Sequence, residues 1–207
     1  MTDPTDLIEG EDGLLRCWWA PVTEQMARYH DEEWARGPRD ERSLFERLSL
    51  EALQAGLSWR IVLERRTALH RAFAGFSPER LAGLPDTEVE RILDLPGTIR
   101  NRAKVSAIVH NAAVLLDLHA QRSGLRELTE DVLTSHPPAP AEPPRRRSDV
   151  PASTEASTEL ARRLRGIGWR FVGPTTAHAY LQAVGWVDDH LLGCHARGAG
   201  GTAGGLR

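Results

Sequence analysis

Two Cys/His pairs lie near opposite ends of this chain. The stretch "RCWWAPVTEQMARYH" carries Cys17 and His30, and "VDDHLLGCHAR" carries His190 and Cys194. These are the only two cysteines in 207 residues. If the pairs meet, the fold must bring its first and last segments together, which restricts it more than any helical pattern does. Two thiolates and two imidazoles suit tetrahedral zinc, and a shell of four protein ligands is structural rather than catalytic. Spacing alone leaves plain burial open, because a free cysteine also packs as a small apolar side chain. His195, directly after Cys194, is the one rival to His190.

Composition narrows the setting. Hydrophobic residues make up 41% and charged residues 27%, ordinary values for a globular protein. No apolar run reaches the length of about 18 residues that a membrane helix needs. The start "MTDPTDLIEGEDGLL" is acidic and lacks the basic and apolar regions of a signal peptide. The expected location is therefore the cytosol, where two cysteines do not suggest a structural disulfide. The net charge of −3 does not advertise a nucleic-acid partner, although every basic residue except Lys104 is arginine.

Periodicity points to an all-α fold. Leu44, Phe45, Leu48 and Leu53 recur at helical spacing, and so do Val62, Leu63, Leu69 and Phe73 after Ser58. "DTEVERIL" offers Thr87 and Glu90 in capping-box spacing. The longest candidate, "NRAKVSAIVHNAAVLLDLHA", carries Val105, Ile108, Val109, Ala112, Leu115 and Leu116. The expected organisation is a disordered acidic lead over 1–12, one helical domain over 13–196 and a flexible Gly-rich tail over 197–207. Residues 134–153 are rich in proline and arginine and read as a surface loop inside that domain.

Three features hint at chemistry. Glu51 interrupts the apolar run "LEAL", so it is either at the edge of a helical face or buried for a purpose. Trp19, Tyr29 and Trp59 are either core aromatics or stacking surfaces. "LPGTIRNRAK" places a Pro96-Gly97 turn before a helix with Arg100, Arg102 and Lys104. That is either a plain helix–helix turn or a phosphate-binding one.

The motifs "RCWW", "YHDEEW", "LEALQAGLSW", "IRNRAKVSAIVHNA" and "GWRFVGPTTAHAYLQAVGWVDDHLLGC" occur together and in this order. In this the chain resembles the DNA-3-methyladenine glycosylase I family, from about Arg16 to Cys194. The resemblance implies a helix-hairpin-helix glycosylase fold and one structural zinc held by Cys17, His30, His190 and Cys194. It implies a base pocket walled by Trp19, Tyr29 and Trp59 and read by Glu51, with Glu51, Tyr29 and Trp59 the residues on which excision depends. It further implies a turn at Pro96 and Gly97 that contacts DNA with Arg100, Arg102 and Lys104. Leu57 is a candidate wedge for the gap left by a flipped base. The expected partner is double-stranded DNA with alkylated bases, met by a monomer. The alternatives are a zinc-stapled DNA-binding module without catalysis, and a glycosylase with another base preference. The family usually has Gly where Ala35 stands and an acidic residue where Leu95 stands. It has Gln or Phe at Leu53, and one member has Tyr at Met26. Lys104 is the only lysine and belongs to the hairpin, so Schiff-base chemistry is not expected.

Overall fold

Short polar side chains cap four of the helix starts. A computed structural model describes residues 6–137 and 142–199. Thr23 accepts from the Met26 N–H and opens α1 (Glu24–Glu32), and Asp40 accepts from the Ser43 N–H and opens α2 (Glu41–Gln54). Ser58 precedes α3 (Trp59–Ala72) without a side-chain cap bond. The single-turn α4 (Pro78–Leu81) leads to α5 (Asp86–Asp94). That helix begins after Pro85, so the Thr87 and Glu90 box expected from spacing does not form. Proline has already set the helical entry there. Asn101 caps α6 (Arg102–Ala120), and α7 (Leu125–Ser135) follows. Glu41 of α2 accepts from the Leu125 and Arg126 N–H groups and so satisfies the start of α7. A Thr154 and Ser157 capping box opens α8 (Glu155–Gly166), and α9 (Pro174–Ala183) completes the set.

The core is continuous across these helices. Leu44, Phe45, Leu48 and Leu53 of α2 are buried with Val105, Ile108, Ala112 and Leu115 of α6 and Tyr180 and Leu181 of α9. The helical spacing therefore placed the core correctly, except that Leu116 is only half-buried. The all-α expectation needs one amendment. Strand β1 (Leu7–Glu9) pairs antiparallel with β2 (Leu15–Cys17), Leu7 opposite Cys17. The disordered lead expected over 1–12 therefore fails at Leu7–Glu9. Strands of three residues are too short to show an alternating pattern. They are held from outside, because Arg16 pairs with Asp12 at 2.6 Å and with Asp31 of α1 at 2.8 Å.

Residues 1–5, 138–141 and the tail from 200 lie outside the described residues. The loop expected over 134–153 is shorter at its start, since Thr134 and Ser135 finish α7. Its far half makes a single turn at Arg147–Asp149 and meets the C-terminal segment, where the Leu192 N–H donates to the Pro144 carbonyl at 2.7 Å. No described helix is long and apolar enough to cross a membrane.

One turn locks the end of α9 against the segment after α1. Gly185 has φ +73°, and a Cβ there would sit 2.4 Å from the Ala35 carbonyl oxygen. Ala35 itself has φ +60°, a conformation natural to the glycine usual at that position. Gly185→Ala combines positive-φ strain with a backbone clash and is expected to destabilise the fold by about 2–4 kcal/mol. Denaturant unfolding reads this directly, and a loss below about 0.5 kcal/mol would mean that the turn is not a tight joint.

Candidate functional site

An aromatic pocket of about 190 Å³ opens between α1, α2, the start of α3 and α9. Trp19, Met26, Tyr29, Trp34, Glu51, Gln54, Trp59, Ala179 and Gln182 line it. Helical spacing explains the grouping. Met26 and Tyr29 are one turn apart on α1, Glu51 and Gln54 on α2, and Ala179 and Gln182 on α9. Ring centroids separate Tyr29 from Trp59 by 5.2 Å and Trp19 from Trp34 by 5.0 Å. The Trp59 indole N–H is buried and makes no hydrogen bond. The structure thus brings together Trp19, Tyr29, Glu51 and Trp59, as expected. Sequence reasoning missed Trp34, Gln54 and Gln182 as wall residues. Gln182 left a signal, being the one amide side chain in "AYLQAVGW".

Glu51 is 6% exposed. Burial pushes its carboxyl up from 4.5 to about 8, against the pull of the nearby Arg47 charge. Arg47, one turn earlier on α2, donates to Glu33 at 2.8 Å, and its guanidinium lies 5.7 Å from the Tyr29 ring centre. Burial also raises the Tyr29 phenol, which therefore keeps its proton at neutral pH. The site pairs an electron-rich aromatic box with an acid that burial keeps largely protonated at neutral pH. Such a box suits a flat cation.

The Cys/His pairs meet directly behind this pocket. Cys17 Sγ, Cys194 Sγ and a ring nitrogen of His30 lie within 4.8 Å of one another. His190 packs edge-on against His30, with 4.8 Å between ring centres, and its Nε2 is buried without a hydrogen-bond partner. Each imidazole is oriented from its other nitrogen. His30 Nδ1 meets Asp31 at 2.7 Å, and His190 Nδ1 meets Asp188 at 2.7 Å. That carboxylate–imidazole arrangement is the usual support of a metal-binding histidine. His190 and its rival His195 both stand outside the group that Cys17, His30 and Cys194 form; His195 groups instead with His30 and Asp31, which it bonds at 2.9 Å. Contact with the Cys17 thiol, with the His30 imidazole beside it, pushes the Cys194 thiol below its ordinary range. Trp19 and Trp34 connect the two sites. The Trp19 ring centre is 5.1 Å from that of His30, and Trp34 is 4.4 Å from His190.

The turn regions divide the remaining expected residues. Leu57 is exposed at the α2–α3 turn, beside the pocket mouth formed by Gln54 and Trp59. Pro96, Gly97 and Arg100 are exposed between α5 and α6. Gly97 has φ +84°, and any Cβ there would meet Ala68 at 2.8 Å. Arg102 is exposed but paired with Glu90 and Asp86. Lys104 does not belong to this surface. It is 5% exposed and donates to the Leu53 and Ala55 carbonyls at 2.7 and 2.5 Å. The last carbonyls of α2 lack helical partners, and a buried ammonium satisfies them better than solvent can.

The Glu51 acid carries a stability signature. Its raised value means that the folded chain holds a proton which the unfolded chain releases between about 4.5 and about 8. Stability therefore falls by about 1.4 kcal/mol per pH unit as pH rises through that window. Glu51→Gln removes this slope, so the variant gains on the parent as pH increases. Parallel unfolding free energies across the window would show that Glu51 ionises as in water.

The comparisons agree with this geometry. The methyladenine glycosylase family model matches residues 18–197. The DNA-3-methyladenine glycosylase of Haemophilus influenzae is 37% identical over 179 residues, covering 86% of this chain and 96% of the relative. DNA-3-methyladenine glycosylase 1 of Escherichia coli is 35% identical, covering 87% and 96%. A crystal structure of 3-methyladenine DNA glycosylase I superposes with TM-score 0.83 at 36% identity, covering 88% of this chain and 99% of that one. An aromatic box with a buried glutamate, on a shared fold and over nearly the whole family length, leaves one conclusion: this chain belongs to the methyladenine glycosylase family.

Proposed function

We propose that the protein excises 3-methyladenine from alkylated double-stranded DNA by hydrolysing its N-glycosidic bond. The observation that carries this reading is Glu51, buried in a pocket of four aromatic side chains, Trp19, Tyr29, Trp34 and Trp59. A base inside a duplex cannot reach such a pocket unless it is flipped out of the stack. The 3-methylated nucleoside is cationic, so its bond to C1′ is already weak and its departure needs no strong acid. Stacking between aromatic faces favours the cation by about 2 kcal/mol when water is excluded. The arriving charge also stabilises the Glu51 carboxylate, which then reads the exocyclic amino group. When the bond breaks, the electron pair goes to the base, which leaves neutral, and water adds to C1′ and gives up a proton to solvent.

The DNA grip in this reading comes from the α5–α6 turn. Pro96, Gly97 and Arg100 face solvent there, and Leu57 stands ready to fill the gap left in the duplex. Lys104 instead supports the turn that carries Leu57. Arg102 contributes less charge because Glu90 and Asp86 already hold it. On this reading the α5–turn–α6 unit is the helix-hairpin-helix of the fold. The protein acts as a cytosolic monomer.

We further assign zinc to Cys17, His30, His190 and Cys194. The donor set, the anchored imidazoles and the orphaned His190 Nε2 support it. Zinc there would supply a covalent-strength staple, with all four positions taken by protein and no site left for water. Purified protein is expected to contain one zinc per chain.

Incubation with methylated duplex DNA, followed by chromatography of the released bases, tests the central reading. Free 3-methyladenine is the expected product, and Glu51→Gln is expected to reduce its release by at least tenfold. DNA binding without any released purine would make the chain a binding module instead.

A further inference from the structure

A second base-reading residue emerges from the polar network on α9. Gln182 lines the pocket together with the aromatic walls, one turn from Ala179, which lines it too. Its amide nitrogen donates to Asp189 Oδ2 at 2.7 Å, and His178 Nε2 meets the same oxygen at 3.1 Å. A carboxylate oxygen accepts and does not donate, so it settles which end of the Gln182 amide faces it. The amide oxygen is the polar atom left over, and among the described residues it has no hydrogen-bond partner.

We propose that Asp189 fixes Gln182 with its amide oxygen toward the pocket, and that this oxygen accepts a hydrogen bond from the exocyclic amino group of the bound base. The inference rests on the reading that the pocket takes 3-methyladenine. An adenine amino group carries two N–H bonds, and one carboxylate next to one amide oxygen can satisfy both. The two acceptors differ in kind. Glu51 must give up a proton before it is a pure acceptor, whereas the amide oxygen accepts at every pH. A 6-oxo purine places a lone pair where the amino group would be, opposite an oxygen that cannot turn away, because Asp189 holds the nitrogen. Repulsion between two acceptors rejects that base more strongly than a missing contact would. The adjacent aspartates in "VDDH" thus divide their work: Asp188 orients His190, and Asp189 orients Gln182.

Quenching of intrinsic tryptophan fluorescence measures the affinity of free 3-methyladenine and of its 6-oxo analogue, 3-methylhypoxanthine. Gln182→Leu is expected to weaken 3-methyladenine binding roughly tenfold and to lower the preference over the analogue by at least that factor. Asp189→Asn lets the amide reverse and is expected to lower the preference as well, with the thermal midpoint and metal content recorded as controls of folding. A purely structural role would weaken both bases together and leave the preference intact, and that result would overturn the proposal. So would wild-type affinity in Gln182→Leu. Absence of 3-methyladenine binding by the parent protein would instead remove the function on which the proposal stands.

Discussion

The meeting of the two chain ends at Cys17, His30, His190 and Cys194 is the constraint on which the pocket depends. Cys194 Sγ lies 3.4 Å from His30 Nε2 across a sequence separation of 164 residues. Closing so long a loop costs only slightly more than closing one of half the length, so distance along the chain is no obstacle. What the closure places matters more. Tyr29 precedes His30 directly, and Trp19 and Trp34 each rest on an imidazole of the cluster while lining the pocket. Three of the four aromatic walls therefore stand on or beside the clasp, and Trp59, carried by α3, reaches it through Tyr29.

Against these walls stands a side chain that is costly to bury. Glu51 has lost most of its contact with water, and its carboxyl responds by holding its proton well above the usual range. The surrounding charges do not cancel this cost. Arg47 and Arg66 both spend their charge on Glu33, at the rear of Tyr29. A cation entering the pocket would offset that cost by favouring the ionised carboxylate.

Much of this was legible before any coordinates. Apolar residues at helical spacing located the core of α2, α3 and α6, because burial of one face leaves a periodic trace. The Cys/His pairs announced the clasp through residue type. Lys104 was misplaced for a physical reason: a lysine beside two arginines near a helix start looks solvated, and only the fold reveals the α2 carbonyls that receive it. The three-residue strands at Leu7 and Leu15 were invisible because their pairing is held by Arg16, Asp12 and Asp31 rather than by a pattern of their own. Gln182 and Trp34 joined the pocket through packing between distant helices, which no local window encodes.

The central claim is that the clasp builds the pocket, and opening the clasp tests it. Cys194→Ser removes one buried sulfur from a small cluster apart from the main helical core, so the helices should persist by circular dichroism. The affinity of free 3-methyladenine is then expected to fall at least about tenfold, a loss of about 1.4 kcal/mol, as Trp19, Tyr29 and Trp34 lose their support. Undiminished affinity in a variant that keeps its helices would show that the pocket stands without the clasp and would contradict the account.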